Sequence, residues 1–154
     1  MRLPPNLRIG LSNRIAYLMA FLLAAVGWAY LSDANEISDA IARQVRSEPS
    51  TGVDLGLLGP PDWTRVCIFG PYTESSTIDE KLGFKIGNSS LEMDDGINLL
   101  VFVREKEVVA ITAHSRGAGD FVEEGLGCFQ RDKAKFAPYR DKANWVHLRA
   151  TDAK

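Results

Sequence analysis

Histidine and cysteine are scarce, with two of each in 154 residues. His114 and His147 have no second ligand at the short spacing that metal sites use, so no metal site is expected. Cys67 and Cys128 form no C-x-x-C pair, which removes dithiol redox chemistry. A G-x-S-x-G elbow and a G-x-x-x-x-G-K loop are both absent, and no cofactor is expected. Basic charge is short where most of the chain lies. Residues 33–129 carry 8 basic and 17 acidic side chains, a net −9. Such a body repels phosphates, and nucleic acid drops out as a partner.

What the chain does have is an uncharged apolar run from Ile15 to Leu31. Arg2, Arg8 and Arg14 precede it; Asp33, Glu36 and Asp39 follow. As a helix it spans about 25 Å, slightly under the ~30 Å hydrocarbon core. Positive flanks resist translocation, so the expectation is a single membrane span with its N-terminus inside. The competing reading is a signal peptide cut near Ala34. In both cases the remaining residues fold outside the cytoplasm, and an even cysteine count there reads as one disulfide, Cys67 to Cys128. Closing that loop contributes roughly 4 kcal/mol on the chain-entropy model.

Beyond the span, Ile37, Ala40, Ile41 and Val45 recur at helical spacing and predict an amphipathic helix over 34–46. Residues 47–61, rich in proline, glycine and serine, read as a linker whose Leu55, Leu57 and Leu58 dock on the domain. A domain then follows. Arg65–Phe69 reads as a strand, and Ser75–Leu82 as a short helix capped by Ser76 or Thr77 and ended by Gly83. Phe84 to Ile86 reads as a brief strand. The segment Ile97–Val103 is the most apolar outside the span and predicts a central strand, with Val108–Ala113 returning beside it. Leu126–Phe129 is a cysteine-bearing strand, 131–137 a short helix, and Trp145–Leu148 an edge strand. Residues 130–154 carry 7 basic and 3 acidic side chains, a local excess against an acidic body.

Candidate site residues are few. Asp94-Asp95-Gly96 lacks the other ligand positions of a calcium loop and reads as a turn. His114, Ser115 and Asp120 are the only histidine, serine and aspartate close together in sequence, yet neighbours on a strand point to opposite faces. No catalytic residue is assigned. The glycines around Arg116, from Ser115 to Asp120, could expose amides to an anion. A partner or ligand surface is therefore placed at Tyr72, His114, Arg116 and Asp120.

The order Trp63-x-x-Val66-Cys67, Gly70-Pro71-Tyr72, Leu82-Gly83-Phe84, Asp95-Gly96, Leu99 to Phe102, Arg116, Gly119-Asp120-Phe121 and Cys128-Phe129 resembles a set of small bacterial exported proteins. The resemblance covers roughly residues 62–136 and implies export and one domain, with no activity attached. The expected whole is an α+β protein: a cytoplasmic N-terminus (1–14), a membrane helix or signal peptide (15–31), an amphipathic helix and linker (32–61), and one small, mostly antiparallel two-layer domain (62–154). The expected role is that of a non-enzymatic envelope protein that binds a protein or an envelope component. A small-ligand sensor using the loop around Arg116 is the alternative.

Overall fold

The computed structural model describes residues 35–47, 52–86 and 94–151. The expected span, 15–31, lies outside them; among the described residues no helix is long and apolar enough to cross a membrane. Residues Asp33–Lys154 form one compact unit.

Helix α1 is seen over residues 35–47 and lays Ile37, Ile41 and Val45 into the core, as the apolar spacing requires. The expected linker is more ordered than its composition suggests. Val53–Asp54 forms a short strand, β1, and Leu55–Leu58 a single helical turn, α2, capped by the Asp54 carboxylate accepting from the Gly56 amide at 2.9 Å. Of its leucines only Leu55 is fully buried; Leu58 packs partly and Leu57 is 80 % exposed. The expected boundary at residue 62 therefore falls inside a continuous core.

Strands β2 (Arg65–Phe69), β3 (Ile97–Arg104), β4 (Glu107–Ser115) and β6 (Gly127–Gln130) make one antiparallel sheet in the order β4-β3-β2-β6. Between them in sequence come α3 (Ser75–Leu82) and the short β5 (Asp120–Phe121). Leu99, Val101 and Val103 pack on one face of β3 with Ile78 and Leu82 of α3. Leu100 and Phe102 occupy the other face, with α1, Leu55 and Trp63. Both faces of β3 are dry, which is why its sequence shows a continuous apolar run rather than alternation. Cys67 and Cys128 face each other across β2 and β6 and are joined as the disulfide.

The second sheet has the order β1-β7-β8-β5, with β7 at Lys135–Arg140 and β8 at Val146–Ala150. Its pairs are antiparallel except β5 with β8. The α+β class with mostly antiparallel strands holds, but the strands divide between two sheets, whose inner residues share one core with α1.

Four local expectations need correction. Residues 131–137 are a 3-10 turn at Arg131–Lys133 followed by β7, because Phe136 is drawn into the shared core. The C-terminal strand is not an edge: β8 lies between β7 and β5, and Trp145 stands just outside it. Phe84 to Ile86 is no strand; Phe84 and Ile86 pack beside α3, and the Asp79 carboxylate takes the Ile86 amide at 3.0 Å. Helix α3 begins after Glu74 with no side-chain cap, while Gly83 ends it in the left-handed region, as expected.

Candidate functional site

The loop from Ser115 to Asp120 is held by its own side chains. β4 ends at Ser115, a 3-10 turn covers Arg116–Ala118, and Gly119 takes φ 133°. That backbone conformation favours glycine, and a side chain there would also press on Val45 and Leu148. Arg116 directs Nε and one terminal nitrogen onto the two oxygens of Asp120, both at 2.8 Å, and its other terminal nitrogen onto the Asp95 carbonyl at 2.8 Å. Asp120 is 1 % exposed and Arg116 31 %, so this is a bidentate pair with its acid inside. That hydrogen bond is the main reason the basicity of Arg116 is raised; Asp95 and Tyr72 add smaller effects.

His114 is fully buried and turned away from Ser115, which is exposed, as strand alternation demands. Its partner is Ser38 on α1, with Oγ 2.9 Å from Nδ1. Nε2 lies 3.0 Å from the Gly119 carbonyl. A carbonyl only accepts, so Nε2 carries the proton and, in the neutral ring, Ser38 donates to Nδ1. Burial lowers the His114 pKa to about 4, against the smaller raising effects of the Gly119 hydrogen bond and the Asp120 charge. The distance suits a serine–histidine dyad. But so weak a base is poorly matched to neutral pH, and neither residue lines any of the four cavities described. The pair ties α1 to β4. Asn98, also buried, adds a two-way clasp on Phe121: Phe121 N–H donates to Oδ1 at 3.0 Å and Nδ2 to the Phe121 carbonyl at 3.3 Å.

His147 joins this cluster to the β7–β8 hairpin. Its Nε2 is 3.1 Å from Asp141, while Nδ1 stands 3.8 Å from Asp120, too far for a hydrogen bond. The Asp141 carboxylate also accepts from the amides of Ala143 and Trp145, at 2.9 and 2.8 Å. Hydrogen bonding to His147, then to the Trp145 and Ala143 amides, holds the Asp141 pKa below the usual carboxylate range. These bonds fix the turn that presents Trp145.

In front of the cluster lies a groove of about 280 Å³, where three segments meet: Arg46 at the end of α1, Gly117 and Ala118 of the clamped loop, and Arg140, Trp145 and Val146 of the hairpin. Trp145 is 46 % exposed. Arg140 donates to the Asn144 carbonyl at 2.9 Å and, like Arg46, has no carboxylate partner among the described residues.

Of the expected surface residues, Arg116 and Asp120 thus form the back of a wall, and His114 sits deeper still. Tyr72, 60 % exposed and at φ 60°, occupies the turn after Pro71 and lines none of the four cavities described. Asp94 accepts from the Gly96 amide at 2.8 Å, as a turn residue does. Among the described residues no three histidine, cysteine, aspartate or glutamate side chains gather to hold a metal ion. Arg46, Arg140 and Trp145 escape notice in the sequence, where nearly a hundred residues separate Arg46 from the others; the basic excess after residue 130 is the one signal that points toward them.

The fold and cluster define a disulfide-stapled α+β domain with a cationic, aromatic groove. No family model, curated protein or solved structure matches the chain.

Proposed function

We propose that this is a non-enzymatic envelope protein, tethered to the membrane through residues 15–31 with the bulk of the chain outside the cytoplasm, which acts by presenting a surface to a protein or another envelope component. The observation that carries this reading is where the polar side chains are spent. His114, Asp120 and most of Arg116 are committed to internal bonds, whereas Arg46, Arg140 and Trp145 face solvent. The disulfide supports an oxidising compartment. Small-ligand sensing through the loop around Arg116 has less support, since three guanidinium nitrogens are already engaged.

Two measurements on the full chain in cells test the reading. A reporter active only outside the cytoplasm, fused after Lys154, is expected to be active and to sediment with membranes. A photo-crosslinking residue in place of Lys142, exposed on the turn beside Trp145, is expected to trap a defined product that the same residue at Glu105 does not. A mature chain starting at Asn35 would remove the tether, and no position-specific product would remove the binding role.

A further inference from the structure

We propose that the groove between Arg46, Arg140 and Trp145 receives a short acidic segment of a partner protein, its carboxylates on the two arginines and an apolar side chain against the indole. This rests on the binding role proposed above and names the chemistry of the partner. Charge is the first argument. Arg46 and Arg140 line the groove, Lys142 is exposed on the adjoining turn, and the nearby acid, Asp141, is already bonded to His147. This patch stands on a body whose residues 33–129 are net −9. A membrane surface rich in anionic lipid, or a nucleic acid, would meet that whole body and be repelled. A short acidic segment is small enough to meet only the patch, and the like charge of the surrounding body disfavours its contact anywhere else.

Size and chemistry agree. At about 280 Å³ the groove falls just below the 300–1,000 Å³ of cofactor and drug-sized sites, and it suits one or two side chains. Arginine and tryptophan are the residue types that dominate binding energy at interfaces. The walls are also preformed. The Arg116–Asp120 clamp holds Gly117 and Ala118, and the Asp141 carboxylate holds the Trp145 amide, so little ordering cost falls on binding. A second cavity next to the groove, lined by Val45, Pro138, Tyr139 and Val146, extends it along the hairpin for the segment to continue.

The test uses the full chain in nanodiscs of neutral phosphatidylcholine and a fluorescein-labelled pentapeptide of four glutamates around a central phenylalanine, read by anisotropy. Saturable binding is expected, weakened at least fivefold in Arg46→Glu/Arg140→Glu and in Trp145→Ala. It should also weaken as salt shortens the Debye length from about 10 Å to about 3 Å. A lysine analogue of the peptide should not bind. Both arginines are exposed, and near-ultraviolet spectra with the milder Arg46→Gln/Arg140→Gln variant separate lost binding from lost folding. Absence of saturable binding, or binding indifferent to the arginines, overturns the proposal. Arginine-dependent attachment to phosphatidylglycerol vesicles without peptide binding also overturns it, assigning the groove to lipid headgroups. If the peptide fails while a crosslinker at Lys142 still traps a specific partner, the binding role stands and the acidic class is wrong.

Discussion

The two sheets are built by different means. The β4-β3-β2-β6 sheet takes most of its pairing from long strands, and its central strand is dry on both faces. The β1-β7-β8-β5 sheet is assembled from strands of two to six residues drawn from distant parts of the chain. Asp120 and His147 are paired residues of its strands, Asp141 lies on its β7–β8 turn, and its hairpin lines the exposed groove. Apolar area holds the first sheet together, with the disulfide crossing β2 and β6. The short strands of the second sheet bury Phe121, Phe136 and Leu148 in the shared core, and the Arg116–Asp120 pair and the Asp141 turn cap tie its ends and hold surface residues in place. The longest strands and the proposed binding groove thus belong to different parts of one domain.

This contrast is open to attack in order of expected effect. Phe102→Ala, in the first sheet, removes a fully buried ring in edge contact with Trp63 at 5.2 Å. It should cost about 3–5 kcal/mol in denaturant melts of residues 33–154 with the disulfide intact. A variant melting like the parent would mean that the first sheet does not carry the stability.

His114 reports on the joint between α1 and β4. Its folded pKa, about 4, lies below the unfolded value of about 6.5, so the folded state binds fewer protons between them. Stability is then intact above about pH 6.5 and falls as pH drops toward 4, by about 3 kcal/mol across the window. Stability curves of the parent minus those of His114→Gln should show this slope. Parallel curves would mean that the histidine is not held neutral.

Asp120→Asn weakens the clamp behind the groove without emptying space. A cost of about 2 kcal/mol is expected, that of a buried charge-assisted hydrogen bond, and so smaller than for Phe102→Ala. Its sharper readout is a loss of peptide affinity at the groove; unchanged affinity would show that the loop keeps its place without the clamp. Smallest is Glu105→Gly on the β3–β4 turn, where φ is 56°. Relief of the left-handed backbone offsets the entropy of glycine, and the melt should move within about 0.5 kcal/mol.

Much of the first sheet was legible in the sequence. An unbroken apolar run such as Leu99–Val103 can satisfy its side chains only inside, and charged Arg104 to Glu107 can only turn in solvent. The α1 stripe and the left-handed Gly83 are equally local, and two cysteines in a chain read as exported left one pairing. Less of the second sheet was visible. β1 and β5 are two residues long, and no period shows in two residues. Phe136 sits among charges that read as a helix until the shared core claims it.

For the candidate site, the sequence alone determined which side chains were scarce, that His114 and Ser115 would part to opposite faces, and that the glycine loop around Arg116 was special. Tertiary structure alone decided what those residues do. It brought Ser38 to His114 across 76 positions, turned Asp120 inward onto Arg116, and set Arg46 beside Arg140 and Trp145. The physical reason is range. Alternation, caps and turns act over a few residues and are written in adjacent letters. A hydrogen bond or charge contact between distant segments depends on where the shared apolar core has placed them, and no local pattern records that.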